Sequence, residues 1–251
     1  MKLFGLIGKT LGHSFSQSYF KEKFEKEGIS GAYYNLYPLE TIDEFNQLIT
    51  DFSELSGLNV TIPYKSEVIP FLSYIDDSAK EIGAINTIKF ERVKSKLNLL
   101  GYNTDYIGFW ESLKPLLQIH HNKALVLGTG GSSKAVAYAL RKANIEVLFV
   151  SRNANEKYQI TYQDITREHI EKYKIIINTT PLGMFPNSDQ CPDIPYDYLS
   201  SKHILFDLIY NPDQTKFLKL GQEQGVITKN GLDMLKIQAD HSWNIWNAES
   251  R

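Results

Sequence analysis

Short runs of β-branched and other apolar residues recur through the second half of the chain, at intervals that suit βαβ units. The runs lie at residues 124–127, 145–150, 175–177 and 204–206. Nearly continuous apolar runs of this length are typical of parallel strands that are buried on both faces. We therefore predict a doubly wound parallel sheet in this half, with a last short strand at 226–228.

The first hundred residues also mix strand-like and helical patterns, but different turn residues separate them. A helix is predicted over 16–26, where Phe20 and Phe24 lie four residues apart on one face. A second helix is predicted after Thr41 and Glu44, which have the spacing of a capping box. Strands are predicted at 3–7, 33–37 and 58–62, with a hairpin formed by 85–90 and 97–102.

Two further helices are predicted, one between the two halves of the chain and one after the last strand. One, over 105–117, joins the two halves, and an amphipathic helix over 234–246 follows the last strand. We expect the second of these to return to the first domain. With 251 residues, the chain exceeds the usual size of a single domain. The expected domains are therefore 1–104 with the returning helix 234–251, and 105–233 including the connecting helix.

Composition and charge narrow the range of partners. There are 27 lysine and arginine residues against 29 aspartate and glutamate residues, a net charge of −2, so nothing favours nucleic acid or an anionic membrane. Cys191 is the only cysteine, and the six histidines lack metal-ligand spacing, so neither a disulfide framework nor a metal is expected. A secretory leader and an apolar run of ~18 residues are both missing. We expect a cytoplasmic protein with small-molecule ligands, as a monomer or a homodimer.

A glycine-rich turn follows the first strand of the second domain. The turn consists of Gly128, Thr129, Gly130, Gly131 and Ser132. Glycines there let the backbone approach a pyrophosphate, whose charge is stabilised by the N-terminus of the helix that follows. Ser133 occupies the position of the third glycine of the usual fingerprint, and Ala135 is an alternative small packing residue. A tight turn without a ligand is the other reading of this segment. The strand before it, the helix after it and a second strand ending about 20 residues later favour a dinucleotide site.

The residues after the next strand indicate which dinucleotide is bound. NAD-dependent enzymes usually carry an acidic residue at this point, where it binds the ribose hydroxyls. This chain has Arg152 and Asn153 instead. A guanidinium suits the 2′-phosphate of NADP by its charge and its bidentate geometry, so NADP is the predicted cofactor. The alternative is a solvated surface arginine.

Polar side chains also cluster where strands or turns of the first domain end. Ser14 and Ser16 precede the first helix, and both hydroxyls could donate to a carboxylate. The alternative is that Ser16 only caps the helix. Asn59 and Thr61 alternate onto one face of a strand, and Lys65 lies just beyond its end. For Lys65, the alternative is a solvated surface side chain.

A third polar cluster ends the predicted hairpin. It consists of Asn103, Thr104 and Asp105, and Asn86 adds an amide on the facing strand. Asp105 suits either the N-cap of the connecting helix or a role in acid–base chemistry.

Seven segments, which span essentially the whole chain, resemble those of the shikimate dehydrogenase family and occur in the same order. They are His-Ser-x-Ser at 13–16, Asn-Val-Thr-x-Pro-x-Lys at 59–65, Gly-Ala-Ile-Asn-Thr at 83–87, Asn-Thr-Asp at 103–105, Asn-Thr-Thr-Pro-Leu-Gly-Met at 178–184, Asp-Leu-Ile-Tyr-Asn-Pro at 207–212, and 231–238. The resemblance implies an α/β fold, with an N-terminal α/β substrate domain and a C-terminal Rossmann-like doubly wound NADP-binding domain. It also implies the NADP-dependent, reversible reduction of 3-dehydroshikimate to shikimate, in the biosynthesis of chorismate and the aromatic amino acids.

The same resemblance implies a role for each matching residue. Lys65 and Asp105 would form the acid–base pair beside the reacting oxygen, and Ser14 and Ser16 would bind the substrate carboxylate. The residues that would contact ring hydroxyls or line their pocket are Asn59, Thr61, Asn86, Asp105, Tyr210 and Gln238. The residues that would bind the cofactor are Gly128, Thr129, Gly130, Gly131 and Ser132 at the pyrophosphate, Arg152 and Asn153 at the 2′-phosphate, and Thr179, Leu208 and Gly231 near the nicotinamide.

Departures from the family pattern concern the cofactor. The usual Asn-Arg-Thr is Ser-Arg-Asn at 151–153, and Asn155 replaces a second basic residue that often follows, with Lys157 as a possible substitute. Because the arginine is present, NADP remains the predicted cofactor, and only the strength of the preference over NAD stays open. Leu208 replaces a common methionine with little change of volume.

Two alternative functions stay open at this stage. One is a quinate/shikimate dehydrogenase with relaxed use of NAD and NADP. The other is a non-catalytic sensor that binds shikimate, which we would expect to lack Lys65 or Asp105. Folate-linked dehydrogenases share the broad architecture but not the two-serine motif.

Overall fold

The chain forms two compact units in the computed structural model, which describes residues 1–12, 15–94, 96–154 and 157–249. The first unit comprises Met1–Thr104 and Gln238–Arg251, and the second comprises Asp105–Ile237. The first division between the units follows Thr104. The return to the first unit falls at Gln238 instead of residue 234, because Met234 is buried in a core of the second unit.

The first unit contains a six-stranded sheet in the order β2-β1-β3-β5-β6-β4. Its strands are β1 (Lys2–Gly8), β2 (Ala32–Pro38), β3 (Leu55–Val60), β4 (Tyr74–Ile75), β5 (Thr87–Val93) and β6 (Lys96–Tyr102). Its helices are α1 (Phe15–Lys26), α2 (Phe45–Asp51) and α3 (Asp77–Ile82), with 3₁₀ turns at Ile42–Glu44 and Ile69–Phe71. β1 is parallel to β2 and β3, whereas β5 is antiparallel to both of its neighbours.

This arrangement brings several strand ends of the first unit to one edge of the sheet. The carboxyl ends of β1, β3 and β6 meet there, beside the beginning of β5, because β5 alone runs in the opposite direction. Asn59 of β3 lies opposite Thr87 of β5, which in turn lies opposite Tyr102 of β6. The polar segments predicted at residues 59–65 and 103–105 therefore leave the sheet at the same edge.

The second unit contains an entirely parallel six-stranded sheet in the order β12-β11-β10-β7-β8-β9. Its strands are β7 (Lys123–Leu127), β8 (Glu146–Ser151), β9 (Gln159–Thr161), β10 (Ile175–Asn178), β11 (Ile204–Asp207) and β12 (Ile227–Lys229). Its helices are α4 (Asp105–Leu113), α5 (Gly131–Lys142), α6 (Arg167–Lys172) and α7 (Lys216–Glu223), with 3₁₀ turns at Lys114–Leu116, Tyr162–Asp164 and Tyr196–Tyr198. Read from β9, this is the 3-2-1-4-5-6 order of dinucleotide-binding sheets, and the direction of winding reverses between β7 and β10.

The predicted elements that differ from the structure in their bounds or contacts include a helix, a strand and a capping box. The helix predicted over 105–117 ends at Leu113, because a proline in the next turn removes a helical hydrogen bond. The strand predicted over 58–62 is Leu55–Val60, so Thr61 lies beyond its end. The capping box at Thr41 does not form, since the Glu44 carboxylate accepts from the Glu40 backbone N–H instead.

The last helix, α8 (Leu232–Asn247), crosses from the second unit into the first. In the first unit, Trp246 stacks on Phe4 with ring centroids 4.8 Å apart, and its indole N–H donates to the Ile88 carbonyl at 3.0 Å. Trp246 therefore belongs to the core of the first unit. Within the described residues, no helix has the length and apolarity that a membrane span requires.

Candidate active site

Ser16 lies in the first turn of α1, and its side chain is half-buried. Because α1 begins at Phe15, Ser16 is the second residue of the helix and is not its N-cap. The Ser16 side chain lies near the phenol of Tyr34, a residue of the neighbouring strand β2. Burial raises the pKa of Tyr34 above its ordinary value, and Ser16 partly opposes that rise. Ser14, the other predicted carboxylate ligand, lies outside the described residues.

Asn59 is buried at the end of β3, and its side-chain amide is fully used within the protein. Its Oδ1 accepts from the Tyr34 hydroxyl at 2.9 Å. Its Nδ2 contacts the Asn86 carbonyl at 3.1 Å, the Thr87 hydroxyl at 3.3 Å and the Ser242 hydroxyl at 3.0 Å. An amide nitrogen has only two hydrogens, so these three acceptors already exceed what Asn59 can donate.

Asn86 and Gln238 lie side by side in the same buried cluster. Asn86 Nδ2 donates to Gln238 Oε1 at 3.2 Å and to the Thr104 hydroxyl at 2.9 Å. Asn86 Oδ1 accepts from the Thr104 backbone N–H at 2.6 Å and from the Thr87 hydroxyl at 3.1 Å. The first unit thus brings together three predicted substrate residues, Asn59, Asn86 and Gln238, although they lie up to 179 positions apart in the chain.

The residues after β3 form a tight turn that places Lys65 beside the same strand ends. The Tyr64 N–H donates to the Thr61 carbonyl at 2.9 Å, and the buried Tyr64 hydroxyl donates to the Leu39 carbonyl at 2.6 Å. The Lys65 carbonyl then accepts from the Ile85 N–H at 2.6 Å. Lys65 and Thr61 are both half-buried.

Asp105 is the first residue of α4, and it is buried. It follows Thr104, which is tied to Asn86 through both its backbone and its hydroxyl. A carboxylate in the first turn of a helix is stabilised by the helix dipole. The preceding Asn103 is fixed by a 2.9 Å hydrogen bond from its Nδ2 to the Ala84 carbonyl.

The glycine-rich turn of the second unit lies between β7 and α5. Gly128 has a φ of +107°, and a Cβ there would come within 2.7 Å of the Thr179 hydroxyl. Gly130 is exposed at the N-cap of α5, and a Cβ there would meet no atom within 4 Å. Ser133 is buried and its hydroxyl donates to the Gly130 carbonyl at 2.6 Å, so serine serves at the third fingerprint position. Unfilled space over a helix N-terminus at the switch point fits a dinucleotide pyrophosphate.

The predicted 2′-phosphate residues, Arg152 and Asn153, are exposed just after β8. The backbone is held there by Ser151, whose hydroxyl donates to the Asn153 carbonyl at 3.0 Å. Half-buried Tyr162 lies near enough for the positive charge of Arg152 to oppose the rise that burial causes in its pKa. Lys157, the possible second basic residue, is also exposed, with its ammonium 5.2 Å from the Tyr158 ring centroid.

Asp207, the last residue of β11, forms a hydrogen bond with Asn178, the last residue of the neighbouring strand β10. It is fully buried and accepts from Asn178 Nδ2 at 3.0 Å, the Ile209 N–H at 3.0 Å and the Thr215 hydroxyl at 2.6 Å. Burial raises the pKa of Asp207 to about 6, against the opposing effect of these three donors. Asn178 Oδ1 in turn accepts from the N–H and hydroxyl of Thr180.

Three residues are predicted to lie near the nicotinamide, and each lies just after one of the neighbouring strands β10, β11 and β12. Thr179 donates from both its N–H and its hydroxyl to the Leu127 carbonyl, at 3.0 and 2.6 Å. The Leu208 N–H donates to the Asn178 carbonyl at 3.0 Å, and Gly231 packs so closely on Leu208 that a Cβ would lie 2.1 Å from its carbonyl oxygen. Tyr210, the remaining predicted substrate residue, is half-buried two positions after Leu208.

Four polar residues of the first unit's buried cluster were missed as site residues by sequence reasoning. They are Tyr34, Thr87, Thr104 and Ser242. Thr87 and Thr104 lie inside segments that carry the family resemblance, which was the available signal. Tyr34 and Ser242 lie in strand and helix positions that the local pattern does not distinguish.

The sheet order and the glycine-rich turn at its switch point define the second unit as a Rossmann-type dinucleotide-binding unit. The chain matches the family model described as shikimate dehydrogenase substrate binding domain over residues 6–88. Shikimate dehydrogenase (NADP(+)) of Clostridium beijerinckii is 40% identical over 257 residues, which cover 98% of this chain and 92% of the relative. The Aquifex aeolicus enzyme of that name is 37% identical over 258 residues, or 98% of this chain and 91% of the relative.

A solved structure gives the same result. Shikimate 5-dehydrogenase from Thermus thermophilus, in complex with NADP(H) and shikimate, has a TM-score of 0.85 and 27% identity, covering 98% of this chain and 94% of that one. The present chain belongs to the shikimate dehydrogenase family.

Proposed function

We propose that this chain catalyses the NADP-dependent, reversible reduction of 3-dehydroshikimate to shikimate. The proposal rests on one observation above the others. The 40% identity to a shikimate dehydrogenase (NADP(+)) extends over 98% of the chain, which also contains Lys65 and Asp105 within its family-like motifs. A fold alone would not carry this inference, since Rossmann-type units serve many chemistries.

The cofactor assignment is supported by the second unit. Bound NADPH would supply the hydride. Gly128–Ser132 would hold its pyrophosphate, because Gly130 leaves open space at the N-terminus of α5. Arg152 and Asn153 would bind the 2′-phosphate, and the exposure of Arg152 leaves its guanidinium accessible. Thr179, Leu208 and Gly231 would lie along the nicotinamide half.

Proton transfer is assigned to Lys65 and Asp105. Reduction of the ketone leaves an alkoxide, which a lysine ammonium can stabilise and protonate. In the reverse direction, neutral Lys65 or the Asp105 carboxylate would take the hydroxyl proton. We therefore assign the proton to the pair and not to one of its members.

Substrate orientation is assigned to hydroxyls and amides of the first unit and to Tyr210. Ser14 and Ser16 would bind the ring carboxylate. Asn86, Gln238 and Thr61 would face the ring hydroxyls. This assignment is supported by the hydrogen bonds around Asn86, in which Thr104 and Gln238 hold the Asn86 amide in one orientation. Fixed donors and acceptors favour catalysis because they need no reorganisation during the reaction.

The function is tested by following NAD(P)H absorbance with shikimate or quinate, each offered with NADP and with NAD. Rapid reduction of NADP by shikimate alone is expected. Comparable rates with quinate or with NAD would favour the relaxed quinate/shikimate dehydrogenase. Tight shikimate binding without turnover would favour the sensor and would overturn the proposal.

The role of Lys65 is tested by Lys65→Ala. Turnover should fall by roughly 100-fold or more, as is usual when a general acid–base group is removed, while the KM for NADP changes little. Lys80→Ala serves as the matched control, because Lys80 is an exposed lysine of α3 with no assigned role. Turnover of Lys65→Ala within a few-fold of the parent would remove Lys65 from the mechanism.

A cytoplasmic location and a monomeric or homodimeric state stay predictions. Size-exclusion chromatography with light scattering decides the second of these.

A further inference from the structure

Ser242 lies at the centre of the buried polar cluster in the first unit. It is fully buried on α8, one helical turn after Gln238. Its hydroxyl lies 2.8 Å from the Thr87 hydroxyl and 3.2 Å from the Thr104 hydroxyl, accepts from Asn59 Nδ2 at 3.0 Å, and donates to the Gln238 carbonyl at 2.9 Å. One side-chain oxygen thus connects α8 with β3, β5 and the segment after β6.

The partners of Ser242 are the residues that hold the predicted substrate amides. Thr87 donates to Asn86 Oδ1 at 3.1 Å. The Thr104 hydroxyl accepts from Asn86 Nδ2 at 2.9 Å and contacts Gln238 Oε1 at 3.3 Å. Ser242 touches Gln238 through its backbone and Asn86 through the two threonines, so it acts on both amides without being exposed to a ligand.

The contact between Ser242 and the Thr104 hydroxyl affects the side chain of Gln238. Its Oε1 accepts from Asn86 Nδ2 at 3.2 Å and lies 3.3 Å from the Thr104 hydroxyl, so the amide oxygen is directed into the protein. An amide held by its oxygen directs its nitrogen to the opposite side. Ser242 gives its one proton to the Gln238 carbonyl, so the Thr87 and Thr104 hydroxyls reach Ser242 as donors. Without this shared acceptor, these donors would pair again with Asn86 Oδ1 and Gln238 Oε1, and the Gln238 amide could change its orientation.

We propose that Ser242 is a positioning residue, which fixes the orientation of the Gln238 amide toward the hydroxyls of the substrate ring through the network around Asn86. This inference rests on the proposed function. The same contacts reassign Asn59, whose amide is occupied by Tyr34, Thr87, Ser242 and the Asn86 carbonyl, as part of the support instead of a direct substrate ligand.

The principal test is Ser242→Ala, which removes one oxygen and leaves the packing of α8 largely intact. The KM for shikimate should rise roughly tenfold, in line with the loss of about 1.4 kcal/mol of orientation, while kcat and the KM for NADP change less than threefold. The matched control is Ser112→Ala. Ser112 is also a buried helical serine, but its hydroxyl has no hydrogen-bond partner among the described residues, so its removal should leave all constants unchanged.

Deoxy analogues separate positioning from general destabilisation. The carbon that is reduced in 3-dehydroshikimate is C3. The analogues 4-deoxyshikimate and 5-deoxyshikimate therefore keep the reacting hydroxyl, and each lacks one of the other two ring hydroxyls. A site that hydrogen-bonds a hydroxyl discriminates against an analogue that lacks it. Ser242→Ala should therefore reduce discrimination between shikimate and at least one analogue about tenfold. A purely structural defect would lower activity on all three compounds by the same factor.

Thr87→Val provides a second route if Ser242→Ala does not fold. It removes the hydroxyl that contacts both Ser242 and Asn86 while keeping the shape of the side chain. It should give the same selective rise in shikimate KM. In a Gln238→Ala background, Ser242→Ala should add less than threefold, because the two changes act on one group.

The outcomes distinguish this inference from the function on which it rests. Lack of shikimate turnover by the parent protein would remove the proposed function. Normal turnover by the parent, with unchanged shikimate KM and unchanged discrimination in both Ser242→Ala and Thr87→Val, would overturn the positioning role alone.

Discussion

Replacement of Arg152 by alanine tests the choice of cofactor with little interference from folding. Arg152 is exposed, and it follows β8 without belonging to a core cluster. Exposed side chains outside special structural features usually change stability by less than about 0.5 kcal/mol when replaced. Any larger effect on cofactor use must then come from contact with the cofactor itself.

The size of the effect follows from the chemistry of the contact. A hydrogen bond to a charged group contributes about 1.5–3 kcal/mol. Loss of the guanidinium from the 2′-phosphate should therefore raise the KM for NADP by roughly tenfold to 150-fold. The KM for NAD, which lacks this phosphate, should change less than threefold. The ratio of the two constants is the diagnostic quantity.

The assay is initial-rate NAD(P)H absorbance at saturating shikimate, for the parent and two variants. Arg141→Ala is the matched control, because Arg141 is also exposed near β8 but its guanidinium lies 5.7 Å from the Phe149 ring centroid. It should leave the NADP constant unchanged. Equal weakening of NADP and NAD by Arg152→Ala would refute the 2′-phosphate role. An effect confined to Lys157→Ala would transfer that role to the second basic residue.

Two further changes test how the second unit is built. Gly130→Ala should change the free energy of unfolding by less than about 0.5 kcal/mol, because the new Cβ would meet no protein atom, but it should weaken NADP binding. Gly231→Ala should lower the free energy of unfolding by about 1–3 kcal/mol, because the new Cβ would lie 2.1 Å from the Leu208 carbonyl oxygen. Urea unfolding and NADP titration measure both, and a destabilised Gly130→Ala with unchanged binding would contradict the assignment. Asp207→Asn should flatten part of the pH dependence of stability. Since the pKa of Asp207 is raised from 3.8 to about 6 in the folded protein, the folded state holds a proton there that the unfolded chain has already lost. Stability should therefore fall as pH rises from about 4 to about 6, by up to about 3 kcal/mol, and this loss should be missing in the variant. Urea midpoints that differ from the parent by a constant amount across this range would argue against a raised pKa.

The parallel sheet of the second unit was predictable because its central strands are buried on both faces. β7, β10 and β11 consist of nearly continuous apolar runs, which give the pattern of such strands directly. β9 escaped prediction, since its three residues are all half-buried and show neither a continuous run nor an alternation. The direction of winding followed from the glycine-rich turn, which marks the first strand of the unit.

The mixed sheet of the first unit was less accessible. Five of its six strands were located and the two-residue β4 was not, and the reversed direction of β5 depends on contacts between segments that are distant in the chain. The capping pattern at Thr41 shows the same limit on a smaller scale. Glu44 has a backbone N–H within reach at Glu40, and sequence spacing alone does not decide between the two donors.

The buried polar cluster explains why part of the site was missed. Hydroxyls such as those of Thr87 and Ser242 are common on exposed strands and helices, so nothing local marks them as fully buried. Their burial becomes favourable only when Asn59, Asn86 and Gln238 satisfy them from other elements. A polar core of this kind is costly if one member is missing, because each remaining group loses a partner that water cannot replace.

An apolar core would hold α8 on the sheet without the energetic cost of unpaired buried polar groups, but it could not fix the direction of two amide groups. If Ser242 positions Gln238 as proposed, the cluster serves specificity, because it orients an amide toward the hydroxyls of the substrate ring. Selection for stability alone would favour its replacement, so the deoxy-analogue experiment on Ser242→Ala decides between these two explanations of the same buried hydroxyls.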